Sequence, residues 1–457
     1  MTPPIRSLPI VVLFFLSAVS SSSLPPEDGI RVVSAERLIH LTGPIARVII
    51  TLEVENSAAA SDASQVFLAF TPWEVKHLAF VKATRVDGKH RKKAHEPLRV
   101  QASDLPATPN GARLYSALLS THLKPGESTT LEVLYVLTHV LDPYPARIVS
   151  QSAEPRQLVY YHDSAVILSP YHVVEQVTYI KMPSDMVESF TKVDPTSCAG
   201  AEMKYGTYYD RMPITYLPIS VHYENRPFAV VQKLERKVDV PRRGHIKVTD
   251  KYKMKQDGAW YKRIFLRLAA TILPESLFSS SRFVSHVMLN SYRSKLECPG
   301  ILAFAKTLPS SSKDRLYFTL VQGPRYGWHC TFTAGYGLPL ENYLFESVDG
   351  RRYINLTFGF PQLDTVVDDF ATTIVLPEGS KNPQTIVPFP TKTSYSYLYY
   401  VTGRTKVVLK NKNVVGEHNV PFQVYYESNP IFVLADPLTV WAVIGFIAVC
   451  IAYFYFT

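Results

Sequence analysis

Residues 31–56 read RVVSAERLIHLTGPIARVIITLEVEN. Val48, Ile50, Leu52 and Val54 fall on alternate positions in the latter part of this stretch. A period of two marks a strand with one face toward a core. Gly43-Pro44 marks the turn before it, because Gly and Pro are the strongest local punctuators of regular structure. A hairpin signal follows at Asp87-Gly88, between FVKATRV and a basic tip. Strand-like runs continue in STTLEVLYVLTHVL, QLVYYHDSAVIL and VEQVTYIKMP. No apolar stripe at helical spacing interrupts them.

The same order of signals starts again near Glu235. ERLIHLTGPIARVIITLEVE has a counterpart in ERKVDVPRRGHIKVTDKYKM, and TYIKMPSDMVESF is echoed by TTIVLPEGSKNPQTI. ISVHYENRPF (Ile219 to Phe228) is echoed by FQVYYESNPIF (Phe422 to Phe432). The pairs Glu36 and Glu235, Met182 and Leu376, and Tyr223 and Tyr426 lie at nearly equal separations, about one domain's length. Three echoes in one order predict a duplicated domain, with the boundary between Phe228 and Glu235. Aromatic residues make up 12% of the chain and Pro numbers 34, which favours β structure with many turns over a helical bundle. The expected fold is mainly β: two successive β-sandwich-like domains of antiparallel strands, residues 24–230 and 231–434, followed by one C-terminal transmembrane helix.

That helix is expected over 435–457. From Pro437 to Thr457 the chain reads PLTVWAVIGFIAVCIAYFYFT, with no charged residue. Its length matches the roughly 20 residues needed to cross a bilayer core, and Trp441, Tyr453 and Tyr455 stand near its ends, where aromatic rings favour the headgroup region. Residues 1–23 have the parts of a secretory signal: Arg6, the apolar run Leu8 to Leu16, and small residues up to Ser23. The expected topology is single-pass type I, with the body in a lumen and a minimal cytosolic tail. The net charge of +9 then reads as a solvated surface facing acidic partners or lipid headgroups, and not as a nucleic-acid site. Of four Cys, Cys450 falls in the helix. Cys198, Cys298 and Cys330 remain in an oxidising compartment, where Cys298 with Cys330 is the nearer pair for a disulfide.

Motifs for chemistry are sparse. The chain has no P-loop, dinucleotide fingerprint, HExxH or GxSxG, and no cofactor is expected. His162-Asp163-Ser164 holds the residue types of a hydrolase triad, but neighbours on a strand point to opposite faces and cannot form the relay. Asp364, Asp368 and Asp369 in QLDTVVDDF are separated by apolar residues and lack the Gly turn of a calcium loop, so a solvated strand edge is expected. Lys89 to Lys93 reads as a solvated hairpin tip, with acidic lipid or a partner subunit as its alternative. Asn355-Leu356-Thr357 is a glycosylation sequon within RRYINLTFGF, a strand on which Asn355 must face outward.

Several segments taken together resemble the ribophorin I family. They are THVLDPYPARIVSQS (Thr138 to Ser152), Ser169-Pro170-Tyr171, VESFTKVDP (Val187 to Pro195), VHYENRPF, the TILP of Thr271 to Pro274, and VLPEGSKN (Val375 to Asn382). The resemblance runs in order through the luminal region into the C-terminal helix. It implies a non-catalytic subunit of the endoplasmic reticulum oligosaccharyltransferase, which moves a preassembled glycan from dolichyl pyrophosphate to Asn in N-x-Ser/Thr sequons. It also implies a separate polytopic catalytic subunit as partner, with the protein translocon and nascent chains nearby. Some family members carry a long cytosolic extension implicated in ribosome contact, which is not expected of a chain ending at Thr457. The alternative from the residues alone is a membrane-anchored luminal hydrolase.

Overall fold

The computed structural model describes residues 29–58, 61–87, 94–103, 111–148, 157–225, 229–261, 282–285, 295–297, 303–308, 315–320, 329–359, 365–387, 391–396, 404–428 and 435–456. The first half opens with β1 (Ile30–Thr42), β2 (Ile45–Asn56), β3 (Ala63–Phe70) and the short helix α1 (Pro72–His77). β4 (Leu78–Asp87), β5 (Ala94–Ala102), β6 (Arg113–Leu123) and β7 (Ser128–Thr138) follow. It continues with β8 (Leu141–Pro143), β9 (Arg147–Ile148), β10 (Leu158–Ser164), β11 (Val173–Lys181), β12 (Val187–Phe190), β13 (Thr196–Ala199), β14 (Glu202–Arg211) and β15 (Pro218–Glu224).

The second half comprises β16 (Ala229–Asp239), β17 (His245–Gln256), β18 (Trp260–Tyr261), β19 (Arg282–Ser285), β20 (Lys295–Glu297), β21 (Ala303–Leu308) and β22 (Arg315–Leu320). β23 (His329–Pro339), β24 (Leu344–Glu346), β25 (Arg352–Thr357), β26 (Val367–Val375) and β27 (Ser380–Ile386) come next. β28 (Thr391–Ser396), β29 (Arg404–Val414), β30 (Pro421–Ser428) and the helix α2 (Ala435–Phe456) complete it.

The two halves repeat one topology. The large sheet of the first half runs β13-β14-β11-β1-β2-β7-β4-β5-β6-β3, and that of the second runs β28-β29-β26-β16-β17-β23-β20. From β14 to β7 and from β29 to β23 the orders match strand for strand. The small sheets, β12-β15-β10-β8 and β27-β30-β25-β24, match as well. The sequence echoes fall on equivalent strands: Glu36 on β1 and Glu235 on β16, Tyr223 on β15 and Tyr426 on β30. Both tyrosines are fully buried.

Strand direction departs from expectation. β1 pairs with β11 in parallel, and β16 with β26 likewise. A period-two pattern tells which face is buried but not which way the neighbour runs. In each half the chain visits the small sheet before returning beside its first strand, and such a crossover is what a parallel pair requires. The hairpin signals hold: Thr42 pairs with Ile45 around Gly43-Pro44, and Asp87 pairs with Ala94. The basic tip from Lys89 to Lys93 lies outside the described residues.

In each half the large and small sheets share a core. Ile39, Val48 and Leu131 of the first large sheet pack in one cluster with Val159, Tyr161 and Val221 of its small sheet. Leu234, Phe370 and Leu409 do the same with Ile354, Val424 and Tyr426. The first cluster ends in sequence at Tyr223 and the second begins at Val231. A third, small cluster of Ile45, Val136, Val230, Val366 and Val415 joins the halves. The helix α2 has 22 residues, and Trp441, Ile444, Phe446, Val449, Ile451, Tyr453 and Tyr455 on it are exposed.

Candidate functional site

The densest group of buried charge lies between the two sheets of the first half. Strand alternation turns Arg37 of β1 inward, where it is 2% exposed. Its Nη2 donates to both carboxylate oxygens of Asp163 on β10, at 3.0 and 2.9 Å, so the ion pair ties one layer to the other. The same nitrogen donates to the Tyr135 hydroxyl at 2.9 Å, and Nη1 donates to the Ser164 carbonyl at 3.0 Å. The Tyr161 hydroxyl donates to Asp163. Glu74 approaches to 4.0 Å. It is held by a capping box on α1, in which Thr71 Oγ1 accepts from the Glu74 amide and Glu74 Oε2 accepts from the Thr71 amide.

Electrostatics follow from burial. Desolvation is the largest influence on Arg37 and opposes its charge, but Asp163, Tyr135, Tyr161 and Glu74 together outweigh it and hold the guanidinium protonated. Burial, and then the charge of Asp163, raise the Glu74 carboxyl above its usual range. Burial pushes the Tyr135 and Tyr161 hydroxyls upward. The adjoining cavity, lined by Arg37, Glu74, Tyr135, Asp163, Tyr171 and Tyr216, measures about 40 Å³. That is room for roughly three waters and far below the 300–1,000 Å³ or so of a ligand pocket. The arrangement is a layer-to-layer clamp.

The second half places Arg236 at the equivalent point of β16. Its Nε and Nη2 donate to the two oxygens of Asp250 at 2.8 and 2.9 Å, and its Nη1 donates to the Gly359 carbonyl at 2.7 Å. The guanidinium carbon lies 5.7 Å from the centre of the Phe370 ring. Here the acid comes from the neighbouring strand, because Arg236 and Asp250 are cross-strand partners. Glu36-Arg37 and Glu235-Arg236 stand at matched positions in the two echoes, which is the signal that marks both arginines in the sequence. Their acids carry no such signal.

The residues singled out from the sequence disperse. Asp163 is the clamp acid, within the strand β10. His162 points to the other face, exposed and stacked on Tyr160 with centroids 5.6 Å apart, so the three triad residue types do not converge. Asp368 and Asp369 lie on β26, which runs between β16 and β29 and is no sheet edge. Strand length and apolar flanks do not reveal how many neighbours a strand has. His139 Nε2 is 2.9 Å from Asp368 across the junction of the halves. Asp364 and Cys298 lie outside the described residues. Cys330 is on β23, opposite Met254. Cys198 is exposed and free. Asn355 lies on β25 between the buried Ile354 and Leu356 and is half-buried on the opposite face. Among the described residues no group of three His, Cys, Asp or Glu is placed to hold a metal.

The junction itself is polar around its small apolar cluster. Arg47 Nε donates to Glu417 at 2.5 Å, Thr138 Oγ1 donates to Asn413 Oδ1 at 2.6 Å, and Phe80 meets His418 edge to face at 5.2 Å.

The family profile described as ribophorin I matches residues 30–297 and 307–456. A rice protein named dolichyl-diphosphooligosaccharide–protein glycosyltransferase subunit 1B is 58% identical, over 95% of this chain and 93% of its own. The Arabidopsis thaliana subunits 1B and 1A are 43% and 35% identical over 95% of this chain, covering 93% and 71% of their own lengths. An M1 zinc metallopeptidase from Deinococcus radiodurans aligns over 47% of this chain and 48% of its own at 14% identity, with a TM-score of 0.26, too slight a likeness to carry an argument. With the profile spanning both halves and the helix α2, the chain belongs to the ribophorin I family.

Proposed function

We propose that this chain is a non-catalytic subunit of the oligosaccharyltransferase, acting in protein N-linked glycosylation as a scaffold or presenter of substrate beside a separate polytopic catalytic subunit. The observation that carries the reading is the match of the whole chain to relatives named as subunit 1 of that enzyme. The placement of its acids agrees: Asp163 is neutralised by Arg37, and Asp368 is engaged by His139. The body, with domains over residues 24–230 and 231–434, resides in the lumen of the endoplasmic reticulum after loss of residues 1–23. α2 anchors it as a single-pass type I protein. At about 1.5 Å per residue, its 22 residues rise about 33 Å, enough for a hydrocarbon core of about 30 Å. Asn355 carries a glycan, and Cys298 pairs with Cys330. The other subunits, nascent chains and membrane lipid are its surroundings.

The test is glycopeptide formation in isolated microsomes, normalised to the catalytic subunit recovered with this chain. Ile444→Arg puts a charge mid-helix at a cost of about 2.5–3.5 kcal/mol and is expected to lower the amount of complex while sparing turnover per complex. Asp368→Asn and Asp369→Asn should leave turnover within a few-fold, since a general acid or base supplies about 10²–10⁴-fold. A hundredfold loss in a variant that assembles normally would instead support a luminal hydrolase or transferase in this chain.

A further inference from the structure

The outer face of the second half's large sheet is a field of lysines. β17 contributes Lys247, Lys251 and Lys253; β16 contributes Lys233 and Lys237; β29 contributes Lys406, Lys410 and Lys412. The register puts them on one surface. Lys253 is opposite Lys233, Lys251 opposite Glu235, and Lys247 opposite Asp239. On the far side Asp369 of β26 joins Lys233 to Lys412. The buried partners of this alternation, Leu234, Val238, Val248, Tyr252, Val407 and Leu409, face the core. Eight lysines and three acids leave +5 on the face. Glu235 is taken by Lys233 at 2.6 Å, and Asp239 by Arg404 at 2.7 Å. The field is felt at Glu235, whose carboxyl is held low by its hydrogen bond to Lys233 and by the charges of Lys233, Lys251 and Lys410.

The duplicated topology supplies an internal control. On the corresponding outer face of β1, β2, β11 and β14 the first half has Glu53, Glu36, Glu175 and Glu202 against Arg47, Lys181 and Lys204, a balance of −1. Solubility alone asks for charge of either sign on both faces. Only the half next to the helix α2 is strongly basic. The peptide from Ser428, where β30 ends, to Ala435, where α2 begins, can reach at most about 25 Å. Whatever surface α2 enters, the second half stays beside it. The charges are ammonium groups on three strands, β17, β16 and β29, of a sheet whose strands lie about 4.8 Å apart. They lack the bidentate forks that arginine brings to a shaped site, and suit a broad anionic surface.

We infer that this lysine face docks on anionic phospholipid headgroups of the luminal leaflet, orienting the body against the membrane. The inference rests on α2 spanning the bilayer. The test is full-length protein in lipid nanodiscs, of phosphatidylcholine alone or mixed with phosphatidylglycerol. Lysines are acetylated briefly and read by mass spectrometry. Co-elution of the chain with both kinds of disc tests the anchor separately. Lys247, Lys251, Lys253, Lys410 and Lys412 are expected to be protected about three-fold or more in the anionic discs, because an anionic surface attracts each lysine near it. The protection should fade between about 0.1 M and 1 M salt, as the Debye length falls from about 10 Å to about 3 Å. Lys181 and Lys204 should label equally in both. In Lys251→Gln/Lys253→Gln/Lys410→Gln, protection at Lys247 and Lys412 should fall. Equal labelling in the two discs while the chain co-elutes with both would overturn the inference. So would protection that appears only in the complex purified from microsomes, which would assign the face to an acidic protein.

Discussion

Arg37 and Arg236 show how one sequence feature, an arginine turned inward on the first strand of each half, is satisfied in two ways. Arg37 finds its acid in the opposite layer, 126 residues along the chain. Arg236 finds its acid 14 residues away, on the adjoining strand. Removing one partner of a buried pair leaves the other charge uncompensated, at about 3–5 kcal/mol. Arg37→Met strands Asp163 beside a Glu74 that is already reluctant to ionise, and the first half should unfold at a clearly lower temperature by calorimetry. Arg37→Met with Asp163→Leu should recover part of that loss, because replacing both charges by apolar groups removes the unpaired acid. In the second half, Gly359 has φ +111°, and a Cβ there would come within 2.9 Å of Asn419 Cα. Gly359→Ala is therefore expected to cost roughly 1–3 kcal/mol, read as a lower denaturant midpoint. An unchanged midpoint would mean that the loop shifts freely. The matched echoes hold both arginines, but their strand pattern alone does not single them out. Asp163 was noticed for its neighbours His162 and Ser164, and its true partner was invisible because only the meeting of the two layers brings Arg37 to it.

At the scale of elements, periodicity was a sound guide to faces. Val48, Leu52 and Val54 are buried on β2 as their alternation predicts, and the turns at Gly43 and Asp87 link the strands they were expected to link. Neighbour identity and direction were not legible. They depend on where the chain goes between strands, which is why the parallel pairs and the interior position of β26 were missed. The same alternation bears on Asn355. Its neighbours Ile354 and Leu356 are in the core, and its cross-strand partner is Gln423. A glycan on the outward face would leave the ladder with β30 intact. Treatment of the protein with an endoglycosidase should increase its gel mobility, and Asn355→Gln should run at the faster position without treatment. An Asn355→Gln variant that still shifts on treatment would place the glycan elsewhere.

For the whole molecule, the pairing of halves was the least legible feature. Its contacts join residues far apart in sequence, such as Arg47 with Glu417 and His139 with Asp368, and each looks like an ordinary surface residue in its own strand or turn. Duplication could be read because it repeats a local pattern; docking could not. The junction nevertheless has a titratable group whose sign can be worked out. The hydrogen bond to Asp368, with its charge and that of Asp257 at 4.0 Å, raises the His139 pKa; partial burial and Lys255 oppose this. A histidine raised on folding adds stability that is fully present below its unfolded value of about 6.5 and is lost as pH rises through the folded value. His418, buried on the same junction, is lowered mainly by desolvation and acts in the opposite sense: its contribution is lost as pH falls through and below about 6.5. The two partly cancel in wild type, so the raw pH profile is a poor test. The difference between wild type and Asp368→Asn isolates His139, because His418 is common to both. That difference in melting temperature should be positive at about pH 6 and shrink toward zero by about pH 9. Salt should reduce it, since both side chains are more than a third exposed. If the gap is the same across the range, the contact is a neutral hydrogen bond, and the His139 charge contributes nothing to holding the halves together.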